Sequence, residues 1–102
     1  MTAYNVVRFR VKPGMDQAFI DSQQNAMQGR MKGFLGGAMI KTGERTYCFV
    51  GQWQSFDDIV AARPQMIDIL DTARPLLEDL GSGLGLTDPV SGPAVIELPP
   101  SM

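Results

Sequence analysis

The chain has 102 residues, 44% of them hydrophobic and 20% charged, which is the composition of an ordinary globular domain with one core. Its net charge is −2, and no stretch gathers the lysines and arginines that neutralise nucleic-acid phosphates. The longest apolar runs fall far short of the ~20 residues that span a bilayer, and the N-terminus lacks the pattern of a secretory signal. The sequence therefore predicts a soluble cytoplasmic protein that binds neither nucleic acid nor membrane.

The residue types that the chain lacks restrict its chemistry. It has no histidine, which removes the commonest metal ligand, the usual general base and the imidazole of a catalytic triad. Its single cysteine, Cys48, excludes an internal disulfide and is expected to be a small buried hydrophobe between two aromatic residues. Its carboxylates do not cluster as metal ligands. The sequence therefore predicts no metal site.

Alternating residues predict a first strand over residues 4–12, with Asn5, Val7 and Phe9 on one face and Arg8 and Arg10 on the other. A proline and a glycine at positions 13 and 14 end it, and the next carboxylate can cap a first helix. The apolar stripe of that helix is Phe19, Ala26, Met27 and Met31. The glutamines assigned largely to solvent are Gln17, Gln23, Gln24 and Gln28. A glycine at position 33 is expected to end the helix.

Residues 37–41 and 45–53 are predicted to form an antiparallel hairpin, joined by the turn Thr42-Gly43-Glu44. Ser55 and Asp58 form a capping-box pattern at the start of a second helix. The apolar stripe that follows is Ile59, Met66, Leu70, Ala73 and Leu77. Proline inside a helix costs about 3 kcal/mol, so a short helix should end near residue 62 and another begin at Pro64. Pro75 predicts a kink or a second restart.

Residues 81–93 are predicted to form a glycine-rich connector and residues 94–98 the last strand, followed by a frayed tail at 99–102. The resulting order β-α-β-β-α-β, in one domain over residues 1–98, is that of an α+β, ferredoxin-like protein with a four-stranded antiparallel sheet. Both helices cover one face of such a sheet. The other face would expose an apolar patch, so we expect a homodimer through the sheet faces.

Three stretches of the chain resemble the antibiotic biosynthesis monooxygenase family of dimeric α/β barrels. They are VRFRVKPG at 7–14, GFLGGAMI at 33–40 and VGQWQSFDDI at 50–59. The resemblance covers nearly the whole chain and implies a dimer of ferredoxin-like protomers, each with a pocket between sheet and helices. For some members it also implies oxygenation of aromatic polyketides or heme without metal or flavin, so no cofactor is expected. Because the chain has no histidine to ligate heme iron, we do not expect heme degradation.

Three residues are candidates for catalysis. Asn5 is either a buried polar group aimed at the pocket or a group in water at the open end of its strand. Trp53 either stacks on a planar ligand or fills the corner between sheet and helix. Arg63, where the family has a polar helix residue near the pocket mouth, either holds a phenolate or carboxylate or is a solvated surface residue. The expected apolar contacts of a ligand are Phe9, Phe34 and Trp53.

Two functions fit these residues. The first is a cofactor-independent monooxygenase of a small aromatic, polyketide- or quinol-like substrate, in which the pocket stabilises an anionic aromatic that itself activates dioxygen. The alternative is a non-catalytic dimeric module of the same fold that binds a small apolar ligand or a partner protein. A buried polar residue that converges on the pocket would distinguish the two.

Overall fold

The computed structural model describes residues 2–26 and 31–101. Within these ranges it contains two helices and five strands. The strands are β1 (Ala3–Val11), β2 (Phe34–Gly43), β3 (Thr46–Trp53), β4 (Leu77–Glu78) and β5 (Thr87–Pro93). The helices are α1 (Asp16–Ala26) and α2 (Phe56–Asp71), and a 3₁₀ turn (Arg74–Leu76) precedes β4. Neither helix has the length and apolar character needed to cross a membrane.

All five strands form one antiparallel sheet with β1 in its interior. β3 pairs with one side of β1, and β2 pairs with the far side of β3. The other side of β1 is shared, because β4 pairs with residues 10–11 and β5 with residues 3–9. Since β4 and β5 share one side of β1, the five strands form a sheet that is four strands wide. The predicted α+β, ferredoxin-like fold is confirmed.

Both helices pack on the face formed by the odd-numbered residues of β1 and β3. The ring of Phe19 on α1 lies 5.4 Å from the rings of both Phe9 and Tyr47, measured between centroids. Ile59 on α2 packs in a second buried cluster with Trp53. The core thus has two parts, one under each helix. We call the opposite face of the sheet, formed by the even-numbered residues of β1 and β3, the open face.

The hairpin and the alternation of β1 are confirmed. The odd-numbered residues Asn5 and Phe9 are buried, whereas Arg8 is exposed on the open face and pairs with Asp88 of β5. β2 is longer than predicted at both ends, and the hairpin turns at residues 44–45, one position later than expected. Cys48 is buried, as the sequence predicts.

Helix α1 differs from its predicted pattern at Gln23. Its side chain is only 7% exposed, so its assignment to solvent is wrong. It lies one turn after Phe19, on the same buried face of the helix. Met31 is buried too, but it lies beyond the helix. Met27 and Gln28 lie outside the described residues.

Helix α2 runs without a break through Pro64, so the predicted end near residue 62 and restart are wrong. Proline removes the N–H that would bond the carbonyl of Val60. Both residues lie on the exposed side of the helix, where water can satisfy that carbonyl. On the opposite side, Ile59 and Ala62 are buried against the sheet. This burial offsets the lost hydrogen bond.

The ends of α2 follow local chemistry that the sequence predicts. The backbone N–H of Asp58 donates to Oγ of Ser55 at 3.2 Å, which is the predicted cap. Pro75 stands in the first turn of the 3₁₀ segment, as the predicted restart requires. Ala73 and Leu77 are buried in the core, although they lie beyond the helix to which their spacing had assigned them.

The last strand is β5, within the predicted connector, so its predicted position at residues 94–98 is wrong. The N–H of Ala94 donates to the carbonyl of Thr2 at 2.8 Å, so the even-numbered residues of β5 form the hydrogen-bonded pairs with β1. The nitrogens of Pro89 and Pro93 therefore face away from β1. Prolines are tolerated there because β5 is an edge strand.

Replacing Pro64 with alanine is expected to stabilise the protein by about 1–3 kcal/mol. Alanine restores the hydrogen bond to the Val60 carbonyl and has a higher helix propensity. Urea denaturation of the wild type and Pro64→Ala measures the change. Pro99→Ala, in the exposed tail, is the control and should leave the free energy of unfolding unchanged. A less stable Pro64→Ala protein would contradict this account of α2.

Candidate functional site

A cavity of about 420 Å³ lies between the sheet and α2. This volume is within the ~300–1,000 Å³ range of small-molecule sites. Its apolar walls include Val7, Phe9, Phe49, Ile59, Met66 and Leu70. Its polar lining residues are Asn5, Gln23, Arg63, Thr87 and Ser91. A mostly apolar space with a few separate polar groups is the usual form of a site for a small organic ligand.

Asn5 is a buried polar residue in the lining of this cavity, with 5% of its surface exposed. The indole N–H of Trp53 donates to Oδ1 of Asn5 at 2.7 Å. Because an indole nitrogen is only a donor, this bond fixes the orientation of the amide. Nδ2 of Asn5 then faces Met66, whose Sδ lies 3.7 Å away and is a weak acceptor. Asn5 therefore presents an amide N–H donor to the cavity.

The contact between Asn5 and Trp53 requires a glycine beside it. Gly51 lies directly opposite Asn5 in the sheet. A Cβ atom at Gly51 would lie 2.4 Å from Oδ1 of Asn5 and 3.1 Å from Nε1 of Trp53. Any side chain at position 51 would therefore push these two groups apart.

Trp53 supports the site from behind. It is fully buried and does not line the cavity, and its ring system packs against Phe34 at a centroid distance of 5.0 Å and an interplanar angle of 63°. In this position the indole contributes both core packing and the hydrogen bond that orients Asn5. Of the two alternatives expected for Trp53, the structure therefore shows the residue that fills the corner between sheet and helix, and the indole does not reach the first cavity to stack on a ligand there.

A second cavity, of about 860 Å³, lies between α1 and the strands β2 and β3. Phe34 lines this cavity, and Gln23 and Phe49 line both cavities. At its edge the hydroxyl of Tyr47 donates to Oδ2 of Asp16 at 2.6 Å. That hydrogen bond, together with burial and the carboxylate charge, raises the pKa of Tyr47 above its ordinary value. The phenol therefore stays protonated at neutral pH.

Arg63 lies in α2 at the rim of the first cavity, with an exposed side chain. Within residues 2–26 and 31–101, no carboxylate forms an ion pair with its guanidinium. A free guanidinium at a cavity mouth attracts anions and can bind a carboxylate or phenolate through two donors.

The structure brings some predicted site residues together and separates others. Asn5, Phe9 and Arg63 line the first cavity, Trp53 lies behind Asn5, and Phe34 lines the second cavity. Within the described ranges, no group of three or more possible metal-ligating side chains converges.

Sequence reasoning missed two groups of lining residues. Thr87 and Ser91 were missed because their strand was placed later in the chain, although Ser91 pairs with Asn5 in the sheet. Gln23 was missed because glutamine was assigned to solvent. Gln23 lies four residues after Phe19, and residues at this spacing share one face of a helix. This spacing was the feature of the sequence that could have identified Gln23 as a lining residue.

The model of the family described as antibiotic biosynthesis monooxygenase matches residues 2–63. No match was found among curated proteins.

Three solved structures illustrate the fold. SnoaB from Streptomyces nogalater, described as a cofactor-independent oxygenase, is 17% identical, with 97% of this chain and 98% of SnoaB covered and a TM-score of 0.67. Rv0793 from Mycobacterium tuberculosis is 11% identical, with coverages of 95% and 98% and a TM-score of 0.74. A conserved protein from Methanosarcina mazei Go1 is 13% identical, with coverages of 91% and 92% and a TM-score of 0.73. At these identities, the likeness shows a shared fold.

The coupling between Asn5 and Trp53 is measurable by a double-mutant cycle. Trp53→Phe leaves Oδ1 of Asn5 buried without its donor, and Asn5→Leu leaves the indole N–H unpaired, so each should cost about 1–3 kcal/mol. The double variant removes both partners, so it should lower the free energy of unfolding by clearly less than the two single variants do together. Free energies of unfolding in urea give the coupling. Additivity within about 0.5 kcal/mol would contradict the proposed orientation of Asn5.

Proposed function

The chain belongs to the antibiotic biosynthesis monooxygenase family, whose model matches more than half of it, and on this premise we propose that it is a cofactor-independent monooxygenase. Its proposed substrate is a small aromatic molecule of polyketide or quinol type. The observation that carries the proposal is the oriented amide of Asn5 within an apolar cavity. The description of SnoaB, which shares the fold, as a cofactor-independent oxygenase supports the reaction class.

The proposed reaction needs a substrate that is itself the reductant. A hydroxylated anthrone is suitable, because it loses a proton readily and the resulting anion is rich in electrons. Dioxygen adds to its CH₂ carbon through a peroxide, and loss of water then gives a carbonyl group. One oxygen atom enters the product, and the other leaves as water with both hydrogens of the CH₂ group. The substrate supplies all four electrons, so the balance requires no other reductant.

The residues of the cavity have distinct proposed roles in this reaction. The Nδ2–H of Asn5 donates to the ionised oxygen of the substrate, and such a donor is worth about 3–4 kcal/mol where negative charge develops. The apolar walls, with Phe9 among them, hold the rings and exclude water, which strengthens that hydrogen bond. Arg63 at the rim attracts the anionic form of the substrate. Trp53 positions Asn5 and does not contact the substrate.

We further propose that the protein is a homodimer through the open face. Ile40 is 46% exposed on this face and Val90 is 62% exposed. The charge of Arg8, on the same face, is paired with Asp88. A sheet face that exposes such apolar side chains is suited to self-association about a two-fold axis.

The proposed reaction predicts uptake of dioxygen with 1,8-dihydroxyanthrone, above the rate of its spontaneous oxidation. One molecule of dioxygen should be consumed per molecule of quinone formed, without release of hydrogen peroxide. Asn5→Leu should lower kcat on the order of a hundredfold or more, because the substrate oxyanion loses its donor. An oxygen electrode and the absorbance of the quinone measure both quantities.

Asn25→Leu is the matched control, because Asn25 is an exposed asparagine on α1, and it should retain wild-type activity. Treatment with a chelator should also leave the rate unchanged. Uptake that disappears with the chelator would refute the metal-free reaction. No uptake with any of a panel of hydroxylated anthrones and hydroquinones would refute the oxygenase and favour the non-catalytic ligand-binding module.

The proposed dimer predicts a mass of twice 11.1 kDa in light scattering at micromolar concentration. Ile40→Glu should give a monomer, because a two-fold interface would bury the new carboxylate twice. Val60→Glu, an equivalent change at an exposed position of α2, should remain dimeric. A monomeric wild type, or dimers in both variants, would contradict an interface at the open face.

A further inference from the structure

Met66 places an oxidisable sulfur atom beside the amide donor of the first cavity. Its Sδ lies 3.7 Å from Nδ2 of Asn5 and accepts a hydrogen bond from it. The side chain of Met66 is half-buried and lines the first cavity, and the rim of that cavity reaches solvent at Arg63. A solute as small as hydrogen peroxide can therefore reach the sulfur.

The contact between Met66 and Asn5 is one that a ligand can displace. A thioether sulfur is a weak acceptor, so the N–H of Asn5 gains when an oxygen atom takes its place. Methionine has three rotatable bonds, so the sulfur can turn aside when a ligand arrives. The amide itself stays in position, because the indole of Trp53 holds its other end. In the reduced protein, the donor of Asn5 is thus available to a ligand oxygen.

Oxidation changes the sulfur from a weak acceptor into a strong one. A methionine sulfoxide carries a polar S=O group in place of an apolar thioether. The 3.7 Å between Sδ and Nδ2 leaves room for an oxygen atom on the sulfur at the ordinary N···O separation of about 2.9 Å. The sulfoxide oxygen can therefore bind the same N–H that the reduced protein offers to a ligand.

We propose that Met66 is a peroxide-sensitive modification site, at which the sulfoxide occupies the amide donor of Asn5 and so weakens ligand binding. A lone pair of Sδ attacks one oxygen of hydrogen peroxide, the S–O bond forms and the O–O bond breaks. The hydroxide that leaves takes the proton of the transferred oxygen and becomes water. The sulfur loses two electrons, and the peroxide gains them. Methionine sulfoxide reductases reverse this modification.

The signals of the side-chain amides in a ¹H–¹⁵N NMR spectrum test the proposed contact without a ligand. Those of Asn5 are identified by their proximity to the indole N–H of Trp53. After treatment with hydrogen peroxide they should move downfield, because a sulfoxide oxygen is a stronger acceptor than a thioether sulfur. Peptide mass spectrometry should show one added oxygen on Met66. Methionine sulfoxide reductases of both stereospecificities should return the signals to their first positions.

Two variants assign the effect to one sulfur atom. Met66→Leu conserves the volume of the side chain and removes the sulfur, so the signals of Asn5 should not move on treatment with peroxide. Met39→Leu is the matched control, because Met39 is also half-buried but lines the second cavity. Its Asn5 signals should move as in the wild type. Each variant is compared with itself before and after treatment, and Met66→Ile repeats the test if the leucine variant folds poorly.

The results of these spectra decide the inference. Signals of Asn5 that stay in place once Met66 is oxidised, or that move equally in Met66→Leu, would overturn it. The same holds if Met66 resists peroxide while Met39 is oxidised. A collapse of the whole spectrum would show that oxidation unfolds the protein, and would overturn the inference as well.

The inference does not depend on the proposed oxygenase reaction. A peroxide-dependent shift of Asn5 in a protein without dioxygen uptake would support the Met66 site and refute the oxygenase. Where uptake is observed, prior oxidation of Met66 should lower kcat/KM about three- to tenfold, because the substrate must displace one further hydrogen bond. An unchanged kcat/KM in the oxidised protein would overturn the modification site and leave the oxygenase standing.

Discussion

The hydrogen bond from the Trp53 indole to Asn5 determines what the cavity can do. A primary amide offers an acceptor at one end and a donor at the other, and the indole can only donate. The bond therefore turns the donor end of Asn5 toward Met66 and the cavity. Gly51 leaves the space for this arrangement. A core contact between β1 and β3 thus sets the polarity of the site.

The walls of the cavity depend on two elements that conflict with local propensity. α2 continues through Pro64, and its apolar side chains line the cavity from Ile59 to Leu70. β5 carries two prolines and still pairs with β1 along residues 3–9, because each proline nitrogen faces away from β1. If α2 broke at residue 62 or β5 started at residue 94, the cavity would lose much of one wall.

The two amides of the cavity show opposite solutions to burial of a polar group. Asn5 is paired within the protein, so its orientation is fixed before any ligand arrives. Gln23 leaves Nε2 without a partner among residues 2–26 and 31–101, at a cost to stability. A preorganised donor suits the atom where charge develops in a reaction.

The sequence by itself determined the strands and helices where periodicity and caps agree: the alternation of β1, the hairpin, and the start of α2 at Ser55. These features depend on neighbours along the chain, so local patterns are sufficient. It also brought Asn5, Phe9, Trp53 and Arg63 into consideration as site residues.

Only the tertiary structure decided whether Asn5 is buried, because strand alternation defines a face but not what covers it. The same holds for Gln23, since α1 buries a position whose residue type is usually exposed. Local rules likewise gave the wrong answer at Pro64 and for the last strand, where a helix–sheet contact and an edge pairing outweighed the propensities of single residues. Burial and pairing between distant segments are properties of the packed chain, and the cavity is formed by them.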